Sequence, residues 1–383
     1  MRAWYFSENG YPYLPDKSEY DSVRVSVPSR LADPRLVADL YDRYLDEFVA
    51  AEAAGFGLMI NEHHQTATNL NPSLGLLAAV LARRTSTARI LVLGHQLAFR
   101  RDPLRVAEEM AVVDNYSRGR LEVGFVRGVA PDIAPANAHP LDTVERLWEA
   151  HDLIVRAWTS LDGPFNWESE HYHYRQVNLW PRPYQQPHPP LWVTTSSTYN
   201  TPEIARHGYV CATFLSGYTL AGRVFHAYRE TAAEEGLAIG PDRLAYACMG
   251  FAADSDEAAR EGAERMMWFT RQTRTAPQWG RVPGYMPTNE LVQLLRGGNR
   301  REGAEARGGG IDGLIENGIL FCGTPDTICR QVEEHFKRTG GYGHLIVMGQ
   351  NGTSGHEETL RSIELWGAEV LPRIAALGSA FAD

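Results

Sequence analysis

The sequence predicts an α/β fold and, within that class, a (β/α)8 barrel with insertions. Three observations carry this. Strand-like and helix-like periodicity alternate along the whole chain, eight segments of each. No strand is followed by a G-x-G-x-x-G turn, which counts against the open doubly wound sheet that the same alternation would fit. The chain has 383 residues, 44% of them hydrophobic, enough for one large core. A bare barrel needs only about 250 residues, so the surplus must sit in insertions.

The elements follow in order. "RAWYFSE" (2–8) reads as a strand and leads into a Tyr/Pro-rich loop. A helix runs from Asp33 to Ala54, with Asp33 as N-cap and Pro34 in the first helical position. "GFGLMINE" (55–62) is the second strand and "SLGLLAAVLARRT" (73–85) the second helix. "ARILVLGHQLAF" (88–99) is a buried strand, followed by the capped helix "DPLRVAEEMAVVDNYS" (102–117). "GRLEVGFVRG" (119–128) and a helix from Asp142 to Thr159 complete the first half. Residues 162–190 read as an inserted hairpin. The rhythm resumes with strands at 191–197, 209–214 and 244–253, each followed by a helix, and closes with "HLIVMGQ" (344–350) and a last helix from Glu357 to Ala376. The stretch 275–320, Gly/Arg-rich in its middle, falls after the seventh strand and is expected to be an active-site lid within a single domain spanning 1–383.

Composition excludes several classes. The net charge is −10 with no basic block, which argues against nucleic acid as a partner. The longest apolar run, "LGLLAAVLA", is too short to cross a bilayer, and the N-terminus lacks a signal-peptide pattern. Cys211, Cys248, Cys322 and Cys329 lack ligand spacing and read as buried thiols in a reducing cytoplasm. Of 37 basic residues only Lys17 and Lys337 are lysine, so any one arginine is weaker evidence of function than usual.

In a barrel the working groups sit at the C-terminal ends of the strands. Here those ends supply Ser7 and Glu8; Glu62, His63 and His64; Gln96 to Phe99; Arg127 and Gly128; Ser196 and Ser197; Phe214; and Gly349 to Asn351. Adjacent histidines on a strand face opposite ways and seldom share an ion, and no carboxylate–histidine trio completes a metal set. Arg127 with Ser196 and Ser197 on the next strand is a pattern that holds an anion, a phosphate above all, although an arginine paired with a neighbouring carboxylate would read the same. The aromatic loop residues Tyr5, Tyr11, Tyr13, Trp279 and Tyr285 point to a sizeable apolar or aromatic substrate.

Four segments, in order and at the right spacing, resemble the bacterial luciferase-like flavin monooxygenases over nearly the whole chain. They are "NEHHQTATNLNPSLGLLAAVLARRTSTARILVLGHQLAF", "DPLRVAEEMAVVDNYSRGRLEVGFVRG", "VTTSSTYNTPEIARHG" and "CGTPDTICRQVEEHF", in which Thr324 or Asp326 caps a helix that Pro325 opens. The resemblance implies a luciferase-like barrel that takes reduced FMN from a separate flavin reductase, adds O2 to form a flavin C4a-hydroperoxide, and oxygenates an organic substrate. Residue by residue it implies His63 as the catalytic histidine, with Glu62 and His64 as its supports. It implies Arg127, Ser196 and Ser197 as phosphate contacts, Trp268 near the flavin ring, and a non-proline cis peptide between Gln96 and Leu97 beneath it. Val126 and Ala130 replace a cysteine and a tyrosine of luciferase itself, so light emission is not implied. A deazaflavin F420-dependent dehydrogenase and a non-catalytic flavin-binding subunit are the alternatives that the same resemblance allows. A homodimer through the "LGLLAAVLA" helix is also expected.

Overall fold

The computed structural model describes residues 1–14, 20, 22, 24–272 and 310–382. Its main sheet contains β1 (Arg2–Ser7), β2 (Gly57–Ile60), β3 (Ile90–Gln96), β4 (Leu121–Val126), β7 (Leu191–Thr194), β8 (Val210–Phe214), β9 (Leu244–Ala252), β10 (Leu320–Gly323) and β11 (His344–Gln350). Eight of these close a parallel barrel in the order β9-β11-β1-β2-β3-β4-β7-β8, with β8 pairing back to β9. The expected (β/α)8 barrel is therefore present. β10 is a ninth strand that periodicity did not resolve. β9 pairs with β8 along 244–247 and with β10 along 249–252, so β10 fills the place where β8 and β9 splay apart. Four residues with no polar partner row are too short a run to register as alternation.

Side-chain alternation builds two cores from the same strands. Trp4, Phe6, Met59, Leu91, Leu93, Trp192, Ala245, Ala247, Ile346 and Met348 fill the barrel interior. Their neighbours Tyr5, Leu58, Ile60, Ile90, Val92, Val123 and Phe125 pack outward under the helices. Tyr5 thus belongs to the outer core, edge-on to Phe48 at 5.6 Å, and Tyr11 is buried with its hydroxyl donating to Leu31 O at 3.1 Å. Neither is the substrate contact expected of it, because an odd register on β1 turns Tyr5 away from the lumen. Trp279 and Tyr285, with most of the expected lid, lie outside the described residues. Within the expected lid, 310–316 forms a helix (Gly310–Glu316) and Leu320 begins β10.

The helices start where their caps predict. Asp33 accepts from Arg35 N at 2.8 Å above α1 (Pro34–Ala53), and Asp102 from Arg105 N at 3.4 Å above α3 (Pro103–Ser117). Thr324 caps the helix Pro325–Thr339, settling the choice between Thr324 and Asp326. The "DNYSRGR" segment works at the bottom of the barrel. Arg120 donates to Ala82 O, Thr85 O and Ala88 O at 2.7–3.1 Å, tying the end of α2 (Leu74–Arg84) to β3 and β4. That satisfies last-turn carbonyls that a helix leaves unpaired. The bottom is further closed by Trp192, whose Nε1 donates to Glu122 at 2.6 Å, and by His344, which burial pushes down to about 3 and so keeps neutral between Trp4 and Asp242 O. The antiparallel pair β5 (Phe165–Glu168) and β6 (His173–Val177) is the expected hairpin insertion. All four cysteines are free and buried, and no helix among the described residues is long and apolar enough to cross a membrane.

Candidate active site

The strands end earlier than alternation predicted: β2 at Ile60, β3 at Gln96, β4 at Val126 and β7 at Thr194. His63, Leu97, Arg127, Ser196 and Ser197 therefore stand on the first loop residues above four consecutive strands. That is the C-terminal mouth, where function sits in this architecture.

His63 is held by residues distant in sequence. Its Nδ1 lies 2.9 Å from Asp132 Oδ2 and 2.8 Å from Arg24 Nη2. A carboxylate only accepts and a guanidinium only donates, so Nδ1 serves one of them at a time. As N–H it bonds Asp132 and leaves Nε2 a base; as a bare nitrogen it accepts from Arg24 and places the proton on Nε2. The two arrangements differ by where one proton sits. Nε2 has no partner among the described residues, and the side chain keeps 18% exposure. Asp132 sits on α4 (Ala130–Ile133), almost fully buried, and also accepts from Gln96 Nε2 at 3.2 Å. Burial pushes its carboxyl up, but the His63 hydrogen bond, the His63 and Arg24 charges and the His64 N–H outweigh it, so Asp132 is held below the usual carboxylate range. A cleft lined by Arg24, His64, Gln65, Pro131 and Asp132 opens beside the pair.

Glu62 and His64, expected to support His63, form a separate knot. His64 Nε2 lies 2.7 Å from Glu62 Oε1, and Arg100 Nη2 reaches both Glu62 oxygens at 2.8 and 2.9 Å. Burial raises the Glu62 carboxyl, yet His64, His95 and Arg100 drive it far below its ordinary value. Gln96 Nε2 donates to Glu62 O at 2.6 Å and so joins the two knots. Residues 61–64 have left the strand, and the chain turns His63 toward α4 while His64 folds back on Glu62.

On the other side of the mouth, Arg127 donates from Nε to Thr143 Oγ1 at 2.7 Å, at the start of α5 (Thr143–Thr159). β4 and β7 are sheet neighbours through Gly124↔Trp192, so the loops bearing Arg127 and Ser196–Ser197 adjoin. Ser196 is exposed; Ser197 is partly buried, its backbone N–H donating to Thr195 Oγ1 at 3.0 Å. Leu97 is fully buried and opens a 3-10 turn, Leu97–Phe99. Trp268, on α8 (Asp256–Gln272), lies across the mouth from this set, its ring against Gly10. The non-proline cis peptide is between Leu93 and Gly94, not between Gln96 and Leu97. At Gly94 the chain passes so close to β4 that a Cβ would lie 2.5 Å from Gly124 O, so the irregularity belongs three residues earlier, where two glycines face each other.

Sequence reasoning missed Asp132, Arg24, Arg100 and His95. Asp132 lay in "RGVAPDIAP", five residues past Arg127, where a lone acid in a loop carries no periodic signal. Arg24 was one arginine among 35 in a lysine-poor chain. Neither could be assigned to His63 without the fold.

The C-terminal mouth of the parallel barrel thus carries a histidine–carboxylate pair on one side and Arg127 with Ser196 and Ser197 on the other. Residues 24–343 match the luciferase-like monooxygenase family, and the chain belongs to it. The chain spans about half the length of the first curated relatives it matches. One is the oxygenase component of the flavin-dependent trigonelline monooxygenase of Acinetobacter baylyi, 29% identical over 43% of this chain and 46% of that one. Among solved structures, a monooxygenase from Streptomyces bottropensis superimposes with a TM-score of 0.75 at 20% identity, covering 98% of this chain and 100% of that one. The oxygenating constituent of 3,6-diketocamphane monooxygenase from Pseudomonas putida, a type II Baeyer–Villiger enzyme in complex with FMN, gives 0.72 at 20% identity over 97% and 98%. An F420-dependent secondary alcohol dehydrogenase gives 0.66 at 18% identity over 98% and 99%. These structures share the fold.

Proposed function

We propose that the protein is the oxygenase of a two-component system in the cytoplasm, using reduced FMN from a separate reductase and O2 to oxygenate a small aromatic or apolar compound. The observation that carries this is the His63–Asp132 pair, with His63 18% exposed after β2 and Arg127, Ser196 and Ser197 after β4 and β7 on the same mouth. The residues present fit a flavin. Gln96 Oε1 is buried without a donor beside Gly128, where a Cβ would lie only 2.8 Å from that oxygen. Arg127, Ser196 and Ser197 would hold the phosphate, Gln96 and Leu97 would line the ring, and Trp268 would stand across the mouth. Bound reduced flavin supplies the electrons that activate O2. The chain's own part is proton control: His63 holds or releases a proton at Nε2, Asp132 and Arg24 decide which nitrogen carries it, and the Glu62 knot fixes the loop.

A homodimer is part of the reading. Leu76 (72% exposed) and Val80 on α2, with Val112 and Tyr116 on the adjoining α3, form i, i+4 apolar pairs on two packed helices. The discriminating experiment is anaerobic titration with reduced FMN and with reduced F420, followed by oxygen uptake. Tight reduced-FMN binding with FMN-dependent O2 consumption is expected. Tight F420 binding without oxygen uptake would replace the oxygenase by a dehydrogenase.

A further inference from the structure

Three carboxylates stand at the mouth, and two have cations. Glu62 has Arg100, His64 and His95; Asp132 has His63 and Arg24. The third, Glu8, has no cationic partner among the described residues. It follows β1 directly and is 4% exposed, and Asn61 follows β2 in the same way on the neighbouring strand. Asn61 and Asn69 both donate Nδ2 to Glu8 Oε2, at 3.0 and 3.2 Å. Asn69 Nδ2 also reaches Asn61 Oδ1 at 2.7 Å, and Asn69 Oδ1 accepts from Asn71 N at 2.8 Å. Asn71 Oδ1 in turn accepts from Asn9 Nδ2 at 3.1 Å, leaving Asn9 Oδ1 and Asn71 Nδ2 buried without partners. The chain of amides fixes one carboxylate oxygen. Oε1 accepts from nothing among the described residues. A carboxylate removed from water without a counter-charge favours whatever cation can reach it.

We propose that Glu8 is the substrate-selecting residue and recruits a compound bearing a positively charged nitrogen on its apolar or aromatic body. The proposal rests on the oxygenase reading of this mouth. It does not assign Glu8 to the flavin: the phosphate set stands on β4 and β7, beyond β2 and β3, and a phosphate-bearing ligand is repelled by a buried anion.

The test uses the full chain and calorimetric titration with two probes of one ring and one size, N-methylpyridinium and toluene. Wild type is expected to bind the cation about tenfold or more tightly than toluene, as for a close charge pair. Glu8→Gln should erase the preference, while Glu8→Asp, which keeps the charge, should retain part of it and serve where the amide variant fails to fold. No preference in wild type, or a preference surviving in Glu8→Gln, overturns the proposal. Reduced-FMN titration of the same proteins separates it from the oxygenase reading. Wild type that binds the cation selectively but not FMN sinks that reading and leaves Glu8's role standing. Loss of FMN binding in Glu8→Gln with cation preference intact assigns Glu8 to the flavin instead.

Discussion

Asp132→Asn keeps the shape of the side chain and removes its charge. In the wild type Oδ2 takes the His63 and Gln96 contacts at 2.9 and 3.2 Å, with Arg24 at 3.7 Å, and Oδ1 faces the His64 N–H at 3.5 Å. An asparagine oxygen can replace Oδ2, but its amide then points a donor at the His64 N–H. One charge-assisted bond in a site where the carboxylate is 1% exposed is lost, which costs about 1.5–3 kcal/mol. With a urea m-value of about 3 kcal/mol/M, the unfolding midpoint falls by about 0.5–1 M. The sign with pH follows from the depressed carboxyl. Its stabilisation is complete above the unfolded value of about 3.9 and is lost as pH falls through the lower folded value. Urea unfolding followed by tryptophan fluorescence should therefore show the full gap between wild type and variant at pH 7, narrowing below about pH 4. Equal midpoints at pH 7, or a gap that persists unchanged in acid, would refute the His63–Asp132 pairing.

His63→Ala should leave reduced-FMN affinity near native, since the proposed phosphate contacts lie on other strands, while product per flavin oxidised falls by about 10²-fold and hydrogen peroxide accounts for the O2 consumed. Coupling equal to wild type would make His63 structural. Combining it with Asp132→Asn should add little further loss, because both act through the same proton, and fully additive losses would separate them. Arg127→Ala should weaken FMN binding about ten- to a hundredfold through loss of a charge-assisted phosphate contact, and unchanged titration would move the phosphate elsewhere. Leu76→Glu with Tyr116→Glu should convert a dimer to monomer in sedimentation velocity, whereas an unaltered dimer would place the interface on another face.

Periodicity by itself determined the order of strands and helices, and the missing G-x-G-x-x-G turn favoured a barrel over an open sheet. The apolar runs of β1, β3, β4 and β9 and the Asp33, Asp102 and Thr324 caps mark where elements lie, so element type and order are local properties of the chain. That His63, Arg127, Ser196 and Ser197 stand at the C-terminal mouth was legible too, because strand ends in a parallel barrel all open on one face. What the tertiary structure alone decided was partnership. His63 meets Asp132 across 69 positions and Arg24 across 39, while its neighbour Glu62 turns to Arg100 and His64. The cis peptide lies at Leu93–Gly94 and not at Gln96–Leu97, beside the close approach of Gly94 to Gly124 on the adjacent strand, which only the folded sheet shows. Glu8 was visible as a strand-end acid, but the asparagines that hold it, and the lack of a cation beside it among the described residues, were not. Hydrogen bonds and ion pairs depend on distance in space, and distances of a few ångströms between residues far apart in sequence exist only once the barrel has closed.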